Sequence, residues 1–243
     1  MTADLLLPER VLPLLRGRFG RPLIHRESCS STQELARGRA EGTVATCELQ
    51  TAGRGRGDRR WRCPRSAGVL FSLALQPRTD PDRLAPLSLV VAEAVCRALH
   101  PLAAVKWPND VLVDGRKLAG VLLEVRGPAL TVGVGINANL HQGQLPAETR
   151  LPATSLSIEA GRPVDRAQVL ADVLAEIEAA YRTFERDGFR GVARGRDHLA
   201  GRTVSVGGDP PGRCQGIQSD GSLLVGGHAY RSGEAATVAV AGV

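Results

Sequence analysis

Apolar positions in this chain fall into short β-prone runs broken by glycine and proline, with two longer stretches of helical spacing. Residues 84–99 carry a nearly continuous apolar face at helical period, and Asp165 caps a second helix running to about residue 186. Between them, residues 103–107 and 130–136 read as strands, the latter ending at Asn137. Residues 111–113 are joined to 117–125 across Asp114-Gly115, a tight-hairpin signal. Strands are also expected over 43–49 and 68–75. Ser31-Thr32-Gln33-Glu34 fits a capping box, with Ser31 as N-cap and Glu34 at N3, opening a short helix over 31–41. Strands joined this closely predict an α+β fold, with a mixed, mainly antiparallel sheet and flanking helices rather than a doubly wound parallel one.

Residues 139–161, with Pro146 and Pro152, read as irregular, and 188–196 as a linker. Short β-prone pieces follow at 203–206, 213–217, 222–225 and 237–240, spaced by glycine and proline as in a small β-barrel. The expected organisation is one unit over 1–195 and a small C-terminal β module over 198–243, without internal repeats.

Composition narrows the class. At 243 residues, 43% hydrophobic and 23% charged, the chain can bury a full core and is no disordered protein, although only 3% is aromatic. The first 18 residues set Pro8, Glu9 and Pro13 among leucines, and no apolar run approaches a membrane span. A cytoplasmic protein with no membrane partner is expected. The five cysteines, at 29, 47, 63, 96 and 214, never fall at metal-ligand spacing and read as reduced, buried residues. The five histidines are equally unpaired, which argues against structural zinc. A net charge of +6 suggests an anionic partner, but no block of five or more like charges forms a basic tail.

Lysine changes the picture most. It occurs only as Lys106 and Lys117, while arginine supplies the other 29 of the 31 formal cations. An ammonium is a compact point charge suited to a crowded anionic centre that a planar guanidinium fork cannot enter. Lys106 is followed by Trp107-Pro108-Asn109-Asp110, and this cation, amide and carboxylate suit a site handling phosphate with Mg²⁺; an Asx turn covering a strand end is the alternative. Lys117 starts a hairpin strand, and Gly120 removes a side chain from that strand, as happens where a ligand lies on the backbone. A surface hairpin lysine has the same spacing. Gly53-Arg54-Gly55-Arg56-Gly57-Asp58 is a loop that an anionic ligand would order, and it would equally serve as a nucleic-acid contact. Gly133-Val134-Gly135-Ile136-Asn137 ends a strand with no helix following, so it is not the dinucleotide fingerprint; its glycines give a ligand access to the sheet or are structural.

In this order, the segments resemble biotin protein ligases. The matching pieces are Ser31-Thr32-Gln33, Gln50-Thr51-Ala52-Gly53-Arg54-Gly55-Arg56, Arg60-Trp61, Lys106-Trp107-Pro108-Asn109-Asp110, Arg116-Lys117-Leu118-Ala119-Gly120, Gly133-Val134-Gly135-Ile136-Asn137 and Ala153-Thr154-Ser155-Leu156. They cover about residues 28–160. The resemblance implies a class II synthetase-like catalytic domain with a C-terminal SH3-like barrel. It also implies a two-step reaction: biotin and ATP, with Mg²⁺, give biotinyl-5′-AMP, and a lysine of a biotin carboxyl carrier domain then displaces AMP. It carries biotin contacts to Ser31, Thr32, Gln33, Gln50, Arg54, Gly55, Arg56, Lys117 and Gly120. Adenylate contacts go to Arg54, Arg56, Trp61, Lys106, Asn109, Asp110, Lys117 and Asn137. Lys117, Arg54 and Arg56 are the expected catalytic cations, and Asp110 is the candidate to meet Mg²⁺, with no fixed protein metal site.

The physics agrees. A carboxylate must attack a triphosphate, and at ~4 Å two unit charges repel by about 4 kcal/mol at an effective dielectric of roughly 20. Cations placed where charge builds up offset that barrier. Two departures stand out. The family loop continues x-Gly-Arg where this chain has Gly57-Asp58-Arg59, and only some thirty residues precede Ser31, too few for a winged helix-turn-helix. A ligase that does not bind DNA is expected, with a homodimer among the assemblies the resemblance allows. The rivals are a lipoate protein ligase, which shares the adenylate logic, and a nucleic-acid-binding module, which the chain's few aromatics disfavour.

Overall fold

The computed structural model describes residues 4–80, 83–126, 129–146, 151–193 and 195–238. Seven strands form the main sheet: β1 (Leu23–Arg26), β2 (Val44–Cys47), β3 (Gly68–Leu75), β4 (Ala103–Lys106), β5 (Asp110–Val113), β6 (Arg116–Arg126) and β7 (Ala129–Asn137). Their order is β1-β2-β3-β7-β6-β5-β4. Only β1 with β2 pairs in parallel; the rest is antiparallel, as the short connections require. The β5–β6 turn places Asp114 at φ 48° and Gly115 at φ 71°, the left-handed pair a tight hairpin demands.

Alternation along β7 decides which face does what. Val132, Val134 and Ile136 enter the main core, while Gly133 and Gly135 face the other side. Each fully buried Val or Ile is worth ~1.5–3 kcal/mol, so a one-residue slip would expose the whole set. The core face is covered by α3 (Leu87–Leu99) and α5 (Arg166–Asp187), which pack on each other. Asp165 caps α5 by accepting from the amides of Ala167 and Gln168. The opposite face carries α2 (Thr32–Ala36) and the loop from residue 53 to 61.

Several expectations need correcting. The helix near Ser31 is one short turn, and the capping box does not form: the Ser31 hydroxyl caps the helix by accepting from the Gln33 amide instead, and Glu34 turns away to two arginines. The four-residue strand β1 and the helices α1 (Pro8–Val11) and α4 (Leu156–Ala160) were not foreseen. The stretch from 188 to 196 is more than a linker, because the Arg196 carbonyl accepts from the Val105 amide at 2.7 Å and lies along β4.

The C-terminal strands β8 (Thr203–Val206), β9 (Gly212–Ile217), β10 (Leu223–Val225), β11 (His228–Tyr230) and β12 (Ala235–Thr237) make an antiparallel sheet ordered β11-β10-β9-β8-β12. This is the small C-terminal β module the sequence leads one to expect; among the described residues no ladder joins β11 to β12. The last strand begins two residues earlier than expected, and positions 239 and 240 lie outside the described residues.

Candidate active site

The site is built on the glycine face of the sheet. Gly120 on β6 pairs with Gly135 on β7, and Leu122 pairs with Gly133, so these four positions form a patch nearly free of side chains. A β-carbon at Gly133 would lie 2.7 Å from Gln33 Nε2, and one at Gly135 would lie 2.4 Å from the Trp61 ring. The glycines are therefore required by close approach. The indole of Trp61 rests on the floor that the sequence suggested was kept clear for a ligand.

The segment from Ser31 to Gln33 reaches this floor from α2. Gln50 Oε1 accepts from the Thr32 amide at 2.8 Å and from its hydroxyl at 3.2 Å, and that hydroxyl also meets Ser72 Oγ at 2.8 Å. Gln33 Nε2 donates to the Leu122 carbonyl at 3.0 Å. Gln33 Oε1 and Trp61 Nε1 are both buried without a hydrogen-bond partner. An orphaned acceptor and an orphaned donor on one face cost free energy unless a ligand satisfies them.

The Gly/Arg segment folds as a tight hairpin in which Arg54 bridges to Arg60 and the Gly55 amide donates to the Arg59 carbonyl. Gly57 takes φ 60° at its tip. Between this flap and β6 lies a cavity of about 440 Å³, walled by Gly53, Arg54, Gly55, Arg60, Leu122 and Glu124. Arg54 donates to Glu124 at 3.0 Å and to Glu34. Burial works against the Arg54 charge, but hydrogen bonds to Glu34 and Glu124 outweigh it and raise its pKa. Glu34 is in turn held below the usual carboxylate range, first by its hydrogen bond from Arg37. Arg56 Nη1 reaches the carbonyl of Gly233 at 3.0 Å, and Arg59 pairs with Glu234, both beside β12.

The two lysines meet across β4, β5 and β6. Lys106 is paired in register with Asp110, and Asp110 Oδ1 holds Lys117 Nζ at 2.6 Å. Lys117 Nζ also stands 5.6 Å from the centroid of the Trp61 ring. Lys106 is buried, and that desolvation lowers its pKa; Asp110 and Glu234 oppose the shift, while Lys117 and Arg59 add to it. Asn109 and Asn137 spend their amides on the backbone, the first donating to the Val121 carbonyl at 2.6 Å and the second to that of Thr154 at 2.9 Å. Thr154 in turn donates its amide to the Lys117 carbonyl, tying the Ala153-Thr154 segment to the lysine strand.

The expected residues thus gather on one face, with Trp61 touching both the lysine cluster and the glycine floor. Glu124, Ser72 and Glu234 enter the site only through the fold, and Glu34 is legible in the sequence only as a helix-cap position. Among the described residues, no group of three or more His, Cys, Asp or Glu is arranged to hold a metal. Asp110 is the carboxylate that stands between the two lysines, its Oδ1 engaged by Lys117 Nζ; a Mg²⁺ there would take most of its ligands from water and a bound anion.

Comparison with known proteins gives the same picture. Residues 26–140 match the model of the biotin/lipoate A/B protein ligase family. The bifunctional ligase/repressor BirA of Bacillus subtilis is 35% identical over 227 residues, covering 85% of this chain and 70% of that protein. The biotin–[acetyl-CoA-carboxylase] ligase of Paracoccus denitrificans is 33% identical, covering 82% of this chain and 90% of its own length. Among solved structures, the biotin protein ligase from Aquifex aeolicus in complex with biotin and ATP superposes with a TM-score of 0.75 at 31% identity, covering 88% of this chain and 97% of that one. On sequence, fold and site together, this chain belongs to the biotin/lipoate A/B protein ligase family.

Proposed function

We propose that this chain is an ATP-dependent biotin protein ligase. The biotin carboxylate attacks the α-phosphorus of ATP and pyrophosphate leaves, giving biotinyl-5′-AMP. The ε-amine of a lysine on a biotin carboxyl carrier domain then attacks the acyl carbon, AMP leaves with the bonding pair, and the amine loses a proton. The single observation that carries this reading is the sharing of one glycine-floored face by Lys117, Trp61, Gln33 and the flap.

Roles follow from position. Lys117 offsets the repulsion between the attacking carboxylate and the phosphate, with Lys106 behind it and Arg56 supplied by the flap. Ser31, Thr32, Gln33 and Gln50 hold the biotin head group, and the orphaned Gln33 Oε1 and Trp61 Nε1 await its complementary groups. Gly55 and Gly120 let the ligand approach the backbone. Asn109 and Asn137 shape the adenylate end by pinning the strands, and Asp110 orients Lys117 and meets the Mg²⁺ that accompanies ATP. Residues 1–195 act as the catalytic unit, and 198–243 as a module docked beside the flap. The cytoplasm, which supplies ATP, is the fitting compartment; among the described residues no helix is long and apolar enough to cross a membrane.

Incubation of the purified chain with Mg-ATP, biotin and a carrier domain should add one biotinyl group per domain, read by mass spectrometry. Lys117→Ala should slow the transfer by ~10²–10³-fold, as removal of a group aimed at developing charge does elsewhere. Modification with lipoate in place of biotin, or stabilisation only by an oligonucleotide, would refute the assignment.

A further inference from the structure

Arg54 had been expected among the catalytic cations, yet its surroundings give it other work. Its guanidinium spans two carboxylates from different elements, Glu124 on β6 at 3.0 Å and Glu34 on α2. Arg37 closes the ring, lying 3.0 Å from Glu34 Oε1 and 3.7 Å from Glu124 Oε2. Two guanidiniums and two carboxylates make a quartet of zero net charge, so little field is left to attract a triphosphate. The lysine cluster is different: Lys106, Lys117 and Arg59 stand against the carboxylates of Asp110 and Glu234, which leaves an excess positive charge.

The quartet also sits where it can control geometry. Glu34 follows Gln33, whose amide grips the Leu122 carbonyl, and Glu124 lies two residues beyond Leu122 on the same face of β6. Arg54 opens the flap hairpin, one residue after Gly53. One guanidinium therefore fixes the flap both to α2 and to β6, the strand that walls the cavity.

We propose that Arg54, Glu34 and Glu124 form a positioning latch that sets the flap over the biotin end of the site, and that Arg54 is not a ligand of the triphosphate. This rests on the biotin ligase reading. In kinetic terms the latch governs biotin affinity and retention of the adenylate, and leaves the phosphate step to Lys117, Lys106 and Arg56. The two carboxylates are met by separate nitrogens, Nη1 on Glu124 and Nη2 on Glu34, a spread that the single nitrogen of an ammonium does not match.

The test compares wild type with Arg54→Ala, Arg54→Lys, Glu124→Gln and the Arg54→Ala/Glu124→Gln double variant. KM for biotin, KM for ATP, kcat and release of preformed biotinyl-5′-AMP are measured for each. Arg54→Ala and Glu124→Gln should each raise KM for biotin and speed adenylate release by about tenfold, with KM for ATP within about twofold of wild type. Arg54→Lys should fall between, and the double variant should be no worse than Arg54→Ala, since both changes break the same contact. A rise in KM for ATP or a large loss of kcat in Arg54→Ala, with Glu124→Gln unchanged, would overturn the proposal. A second readout is independent of the reaction: chymotryptic cleavage after Trp61 in the unliganded protein should be faster in Glu34→Gln/Glu124→Gln than in wild type. Equal rates would overturn the latch even in an active ligase. Faster cleavage in a wild-type background that never transfers biotin would instead leave the latch standing and reject the ligase reading.

Discussion

Arg166 and Arg54 each hold a pair of carboxylates from distant parts of the chain, and they differ mainly in how much water reaches them. Arg166, at the start of α5, is fully buried; it pairs with Glu48, itself 1% exposed, and with Asp4, which is 40% exposed, and donates to the Gly68 carbonyl. Arg54 is 33% exposed, and its partners Glu34 and Glu124 are 34% and 18% exposed. In the dry Arg166–Glu48 pair an unpaired charge has no solvent to fall back on, so that pair cannot open without unfolding what surrounds it. In the wet cluster each charge can be rehydrated at small cost, so the same contacts can open and close during a reaction cycle. One set of bonds staples the N-terminal segment to the sheet, and the other positions a flap.

The largest expected effect tests the dry member. Arg166→Met leaves Glu48 buried without its cation and should cost about 3–5 kcal/mol, seen as a lower urea midpoint with biotin binding retained below the transition. Replacing both partners, as in Arg166→Met/Glu48→Leu, should recover much of that loss. An Arg166→Met protein as stable as wild type would mean that the cluster is wetter than its burial indicates, and the contrast with Arg54 would vanish.

Arg54→Ala is expected to change global stability by only ~0–1 kcal/mol, because exposed ion pairs are screened and cost side-chain entropy. Its activity should change far more than its stability, and the excess adenylate release should shrink when wild type is measured at about 1 M salt, where charges are screened within ~3 Å. A stability loss as large as that of Arg166→Met would make Arg54 a fold staple after all.

How much of this was legible in the sequence follows the same division. Strands β3, β6 and β7 were readable because their apolar residues alternate or run continuously and because Asp114-Gly115 can only turn. Lys117 and Lys106 were readable because the chain avoids lysine elsewhere. The glycines at 120, 133 and 135 read in the sequence as places where a ligand could reach the sheet, but what approaches them in the structure is the protein itself, Trp61 at Gly120 and Gly135 and Gln33 at Gly133. The two clusters were invisible: Glu48 lies 118 residues from Arg166, and Glu124 lies 70 from Arg54. A glutamate near a strand end reads as ordinary surface until the fold brings an arginine to it. Strand β1 escaped for a related reason, since Leu23–Arg26 has only two apolar residues and gains its place from parallel pairing with β2.

The smallest effect separates the clusters by pH. Near Arg166, the His25 side chain is largely shielded, with Nε2 lacking a hydrogen bond and 3.9 Å from Glu48, and desolvation lowers its pKa from the ordinary value; Arg166 adds to the shift, while Glu48, Glu27 and Glu9 oppose it. His198 is lowered for the same first reason, its desolvation reinforced by Arg202 and Lys106 and opposed by Asp197. A lowered histidine means that, as pH falls through about 6.5, the unfolded chain takes up protons before the native one does, so stability declines until the native pKa is reached. Glu34 is also lowered, but from the carboxylate range. Its contribution is complete above about pH 4.3 and is lost only as pH falls through its lower native value. Between about pH 7 and 5 the urea midpoint should therefore drift downward while protection of the flap, read by hydrogen exchange at residues 54–60, stays level once corrected for intrinsic rate. His25→Asn should remove part of the drift, with the remainder belonging to His198. Flap protection that fell in step with the midpoint would show that the hairpin opens only through global unfolding, and the wet cluster would then be no freer than the dry one.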